Sequence, residues 1–133
     1  MILNHSEQNQ GVVIWDGTPH PVDTRKHTSV SFNFHVTADL VADAVFAVQE
    51  APADEADICA PGVFGPVDNV PLCDTDPHVT PTLHATIAVP GGTKKGAVCS
   101  GALPCKPGPF VQLVSAAGPT INVRAIAILS GPR

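Results

Sequence analysis

The side chains able to do chemistry in this 133-residue chain are few and widely scattered. Cys59, Cys73, Cys99 and Cys105 are separated by 13, 25 and 5 residues, without the close C-x2–4-C knuckles that hold structural zinc. Four cysteines permit three pairings. The local one, Cys59 with Cys73 and Cys99 with Cys105, would staple two loops rich in proline and glycine, each bridge contributing about 2–3 kcal/mol. The alternative is four reduced thiols, because a cytosol keeps thiols reduced. Asp74-x-Asp76-x-His78 places oxygen and nitrogen donors on one side of an extended segment, and Asp54, Glu55 and Asp57 form a second acidic group. Both lack the further ligands a hard cation requires, so solvated loop acids are the expected reading. The six histidines, at 5, 20, 27, 35, 78 and 84, make no metal or protease motif; His35 and His84 each fall on the polar side of an expected strand.

Nucleotide and acyl chemistry fare no better. PGGTKKG, residues 90–96, superficially resembles a phosphate loop, but Lys94 and Lys95 precede Gly96 where the phosphate-binding order needs them after it, so a loop tip is expected. There is no G-x-S-x-G elbow and no H-E-x-x-H pair. One tryptophan and no tyrosine leave little for a sugar-stacking platform. These residues predict a protein that is not an enzyme and needs no cofactor or metal.

The elements that would position any site are easier to read. A hydrophobic fraction of 44% with 14% charged residues describes a folded domain, and 14 prolines with 11 glycines require many turns and leave no room for long helices. The formal charge of −5 offers no basic face for nucleic acid. No apolar run approaches the ~20 residues of a membrane span, and MILNHSEQNQ at the N-terminus lacks the features of a secretory signal, so synthesis in a cytoplasm is expected.

In SVSFNFHV, Val30, Phe32, Phe34 and Val36 alternate with Ser31, Asn33 and His35, one side core and the other wet. TLHATIAV at 82–89 repeats the rule. Residues 12–15 read as a first strand ending at the Asp16-Gly17 turn. Segment 38–50 also fits helical spacing behind a Thr37 cap, yet its Val- and Phe-rich second half and the Ala51-Pro52 ending favour a strand over 44–50. A short strand is expected within Val67–Leu72, a loop over Pro90–Pro109, and a final hairpin of strands 110–116 and 121–129 around Gly118-Pro119, with apolar residues on both faces. Together these predict an all-β domain over 12–133, a two-sheet β-sandwich or jelly roll with long Pro/Gly-rich loops, behind a polar N-terminal arm, 1–11.

Three phrases in these strands resemble the small β-sandwich proteins that decorate or cement the heads of tailed bacteriophages. PVDTRKHTSVSFNFHV, 21–36, resembles the family's opening "vDt-x-x-x-x-SV-x-F"; FVQLVSAAG, 110–118, resembles its "RYVRL" strand before a glycine turn; VRAIAILSGPR, 123–133, resembles its "a-x-A-I-L-G-x-PR" ending. The family's Arg-Tyr pair is Pro109-Phe110 here, and the four cysteines stand outside the family pattern. The resemblance implies a structural virion protein on the outer capsid surface, bound to the major capsid protein as a homotrimer or other small homo-oligomer. Such a particle is assembled in a reducing cytoplasm and serves outside it, which admits disulfides without a signal peptide. The expected contact residues are Phe110, Gln112, Val114, Arg124, Ile126 and Ile128 in the last two strands, with the arm adding to a sheet edge. The alternatives are a receptor- or carbohydrate-binding module, a small tail or baseplate component, and a metal-dependent enzyme on a jelly roll.

Overall fold

A computed structural model of the chain describes residues 9–66, 86–103 and 108–132. Nine strands follow one another: β1 Asn9–Trp15, β2 Val22–Asp23, β3 His27–Val36, β4 Ala44–Ala51, β5 Gly65–Pro66, β6 Thr86–Val89, β7 Val98–Ala102, β8 Phe110–Ala117 and β9 Val123–Pro132, with one short 3-10 turn, Thr120–Asn122, before β9. They form two antiparallel sheets, one in the order β1-β9-β3-β7, the other β2-β8-β4 with β5 and β6 sharing the far edge of β4.

The pairings describe a rolled ribbon. First pairs with last, β1 with β9, β2 with β8, β3 with β7 and β4 with β6; the ribbon then curls so that β9 also meets β3 and β8 also meets β4. This is the jelly-roll arrangement expected from the sequence, and it closes the apolar side of each sheet against the other.

The alternation in β3 does what it predicts: Val30, Phe32, Phe34 and Val36 are buried between the sheets. Opposite them β9 supplies small residues. Phe34 lies across from Ala125 and Phe32 across from Ala127, so each large ring occupies the space its neighbour leaves. From the second sheet Phe46 meets Phe34 at 5.3 Å and the edge of Trp15 at 5.4 Å between centroids. Trp15 is itself anchored, its indole N–H donating to the Thr120 carbonyl at 3.0 Å. Trp15→Phe removes that donor and leaves a buried carbonyl without its partner; a loss of about 1–3 kcal/mol in denaturant unfolding is expected.

Several expectations need correction. Strands β8 and β9 are not a hairpin, because they lie in opposite sheets. Gly118, at a φ of 81°, and the 3-10 turn carry the chain across the core, and the turn is tied to the first sheet by the Thr37 amide donating to the Asn122 carbonyl. The loop over Pro90–Pro109 contains β7, whose VCSGA has no alternating large residues and takes its conformation from the edge of β3. The first strand starts at Asn9, inside the expected arm, since pairing with β9 asks only for backbone groups there. Segment 44–51 is a strand with Ala44, Phe46 and Val48 inward, and its helical alternative is lost. The expected strand at Val67–Leu72 and residues 82–85 lie outside the described residues.

Candidate interaction surface

Alternation sends every second residue of the first sheet outward, and the register arranges these residues in rows. Val13 of β1, Ile126 of β9, Asn33 of β3 and Ser100 of β7 form one row; Gly11, Ile128, Ser31 and Ala102 form the next. Val13, Ile126 and Ile128 are half-buried. Gly11 leaves room for the isoleucines: a Cβ there would stand 3.3 Å from Ile126 Cγ2 and 3.6 Å from Ile128 Cδ1. The β1/β9 half of the face is therefore aliphatic. The β3/β7 half is mixed, with exposed Val98 and half-buried Ala102 beside polar groups, the Ser100 hydroxyl donating to Asn33 Oδ1 at 3.2 Å and the Ser29 and Ser130 hydroxyls 2.6 Å apart.

Among the described residues this face carries no carboxylate or ammonium; only Arg124 and His35, side by side in the register, border it. The outer face of the second sheet is aliphatic and polar at its centre, with Val45, Ala47, Ala88 and Val114 beside Gln112, whose amide donates to Gln49 Oε1 at 2.8 Å, and charged at its β2 edge, where Asp23 lies in register with Phe110. The charges gather at the two ends of the sandwich. At one end Lys94 pairs with Asp39 at 3.7 Å, and the Lys95 and Gly91 amides donate to Asp39 and Asp43. At the other Arg25 grips Asp23 through Nε at 3.0 Å and Nη2 at 2.7 Å and donates from Nη1 to the Ile58 carbonyl.

Of the residues expected to make contacts, Gln112, Val114, Ile126 and Ile128 are half-buried outward and Arg124 is exposed, but they divide between opposite faces of the molecule. Phe110 is covered by its own chain, 4% exposed with the Arg25 guanidinium 5.0 Å from its ring centre. Sequence reasoning missed Val13 and Gly11, because nothing local says that β1 lies beside β9.

Among the described residues the reactive candidates stay apart. Cys59 is exposed and Cys99 half-buried, both as free thiols, so the described residues hold no disulfide; Cys73 and Cys105 lie outside them. Asp74, Asp76, His78 and His84 also lie outside the described residues. The Asp54 and Asp57 carboxylates accept the amides of Ala56 and Cys59, which makes them turn-formers. No cluster of three potential metal ligands occurs among the described residues.

Among the described residues three carboxylates shift. The Arg25 hydrogen bond holds Asp23 below the ordinary aspartate value, the His20 bond does so for Asp16, and the Lys95 amide for Asp39. A carboxylate depressed by folding stabilises the fold above its unfolded value and loses that contribution as pH falls through the folded one. Denaturant midpoints should therefore be flat in these terms at neutral pH and fall below about pH 4, less steeply in Asp23→Asn than in the parent.

Compared with known proteins, the chain matches no family model and no curated protein sequence.

Proposed function

We propose that this protein is a structural component of a tailed-phage virion that binds the outside of the capsid and stabilises the major capsid protein lattice, as a homotrimer or other small homo-oligomer, without catalysing a reaction. The observation that carries this reading is the outer face of the β1-β9-β3-β7 sheet, a surface with an aliphatic half, Val13, Ile126 and Ile128, and no carboxylate or ammonium among the described residues. Centres of protein interfaces are depleted in charge in this way. The phrases that resemble decoration proteins fall on β2 and β3, β8 and β9, which pair in space as β3 with β9 and β2 with β8.

Cementing requires only mass action. A protein that binds the assembled shell and not its separate subunits stabilises the shell by its binding free energy at every copy, and about 1,600 Å² per contact is an ordinary size. The carbohydrate-binding alternative needs aromatic faces open to solvent, whereas Trp15 is 4% exposed and spent on the core.

Quantifying the chain against the major capsid protein in purified particles tests the reading. A fixed ratio comparable to capsid subunits is expected, with particles lacking the chain opening at lower temperature; a handful of copies indicates a tail component, and none rejects the proposal. Ile126→Asp places a carboxylate on the proposed contact face. It should weaken particle binding at least about tenfold, while the isolated chain keeps its unfolding midpoint within about 1 kcal/mol.

A further inference from the structure

Among the described residues the sandwich is open along one side. Val12 faces inward, opposite the fully buried Ala127, yet it is 37% exposed. It looks into a cleft of about 360 Å³ between β1, the edge of one sheet, and β2, the edge of the other, where Val22 and Leu129 also contribute apolar wall. At its C-terminal end the outer edge of β1 is taken by its own chain, Trp15 bridging Pro19 and the His20 amide donating to the Ile14 carbonyl. Over residues 9–13 it is unpaired among the described residues, has neither charge nor proline, and has its register irregularity only at the far end, at Val13/Trp15. Edges that must stay unpaired are normally blunted by such devices.

The polar groups in the cleft are unfinished as well. The Asp23 carboxylate is taken by Arg25, while Lys26 makes no ion pair among the described residues. His27 stands in the wall, 8% exposed, and its buried Nδ1 has no hydrogen-bond partner among the described residues. A buried polar atom left this way is destabilising until a partner reaches it.

We infer that the β1 edge and this cleft accept an extended, acidic segment of a partner protein by strand addition. Its backbone pairs with β1, one inward side chain covers Val12 to complete the core, and a carboxylate meets Lys26. Main-chain bonds would supply affinity and the cleft specificity. The site stands on the isolated chain and does not depend on the capsid reading.

Selection of displayed random octapeptides on the immobilised full chain tests it. Enrichment of sequences with Asp or Glu at one fixed position is expected, and the enriched peptide, synthesised with a fluorophore, should bind Lys26→Glu about tenfold more weakly and Lys94→Glu, at the opposite end, unchanged. Lys26 is exposed, so its replacement leaves the fold intact, which circular dichroism checks. Repeating the selection on Lys26→Glu should shift the fixed position to Lys or Arg. No enrichment over the bare surface overturns the inference, as does binding indifferent to Lys26→Glu. Enriched peptides matching residues 1–8 of this chain, or a dimer of the free protein by light scattering that excludes the peptides, would assign the edge to the chain itself and overturn the partner.

Discussion

Gly118→Ala should remove about 3 kcal/mol or more of stability, a large part of the 5–15 kcal/mol of an ordinary domain. Two effects add at this position. The φ of 81° is costly for any residue with a Cβ, and the Cβ itself would run into the Asp43 carbonyl oxygen while lying 2.8 Å from the Asp43 carbonyl carbon and 3.3 Å from Ala44 Cα. Those atoms are backbone at the entry to β4, so no side chain can swing away. Gly92→Ala separates the terms, since Gly92 has a φ of 86° and nothing within 4 Å of its Cβ position. It should lose only the conformational part, about 1–2 kcal/mol. Urea midpoints of the two variants decide the matter; equal losses would mean that the close approach of the β8-to-β9 crossing to the β3-to-β4 loop does not constrain the fold.

Phe46→Ala is expected to cost about 3–5 kcal/mol. Phe46 is fully buried and is the ring through which the second sheet touches two of the three aromatic groups in the described strands of the first, Trp15 and Phe34. Its removal opens a cavity and breaks two ring contacts, each of a kind worth about 0.5–1.5 kcal/mol beyond the area buried. Indole emission should move to longer wavelength as water gains access to Trp15. Val114→Ala, on the outer face of the same sheet, provides the comparison and should cost less than about 1 kcal/mol. If both substitutions cost the same, the core does not lie between these sheets.

How much of this was legible varies by element, for physical reasons. The inward face of β3 could be read outright, because large apolar residues at every second position have one sensible placement in a half-buried strand. Strand β7 could not, since Val98, Ser100 and Ala102 define no face of their own, and the strand exists because β3 offers an edge. Around Gly118-Pro119 the opposite happened. Two good strands joined by a short turn suggest a hairpin, but a positive-φ glycine serves a crossing between sheets equally well, and burial of Val111 and Leu113 from one side and Val123 and Ala125 from the other selects the crossing.

The candidate surface divides in the same way. Ile126 and Ile128 could be named from the doubly apolar ending of the chain, and their company could not. Phe110 has the same apolar character, yet Arg25, distant in the chain, covers it. Gln112 and Val114 proved to face away from the isoleucines because β8 belongs to the other sheet.

From its sequence alone, this chain determined that it is all-β, that it has one core, and which residues of its clearest strands enter that core. Tertiary structure decided which strands are neighbours, and with that the aliphatic half-face, the open cleft beside β1 and the covering of Phe110. The division follows from the range of the interactions. Alternation and turn preference act over a few residues and are written locally, whereas pairing such as Asn9 with Ser130 joins the two ends of the chain through backbone groups that every residue shares.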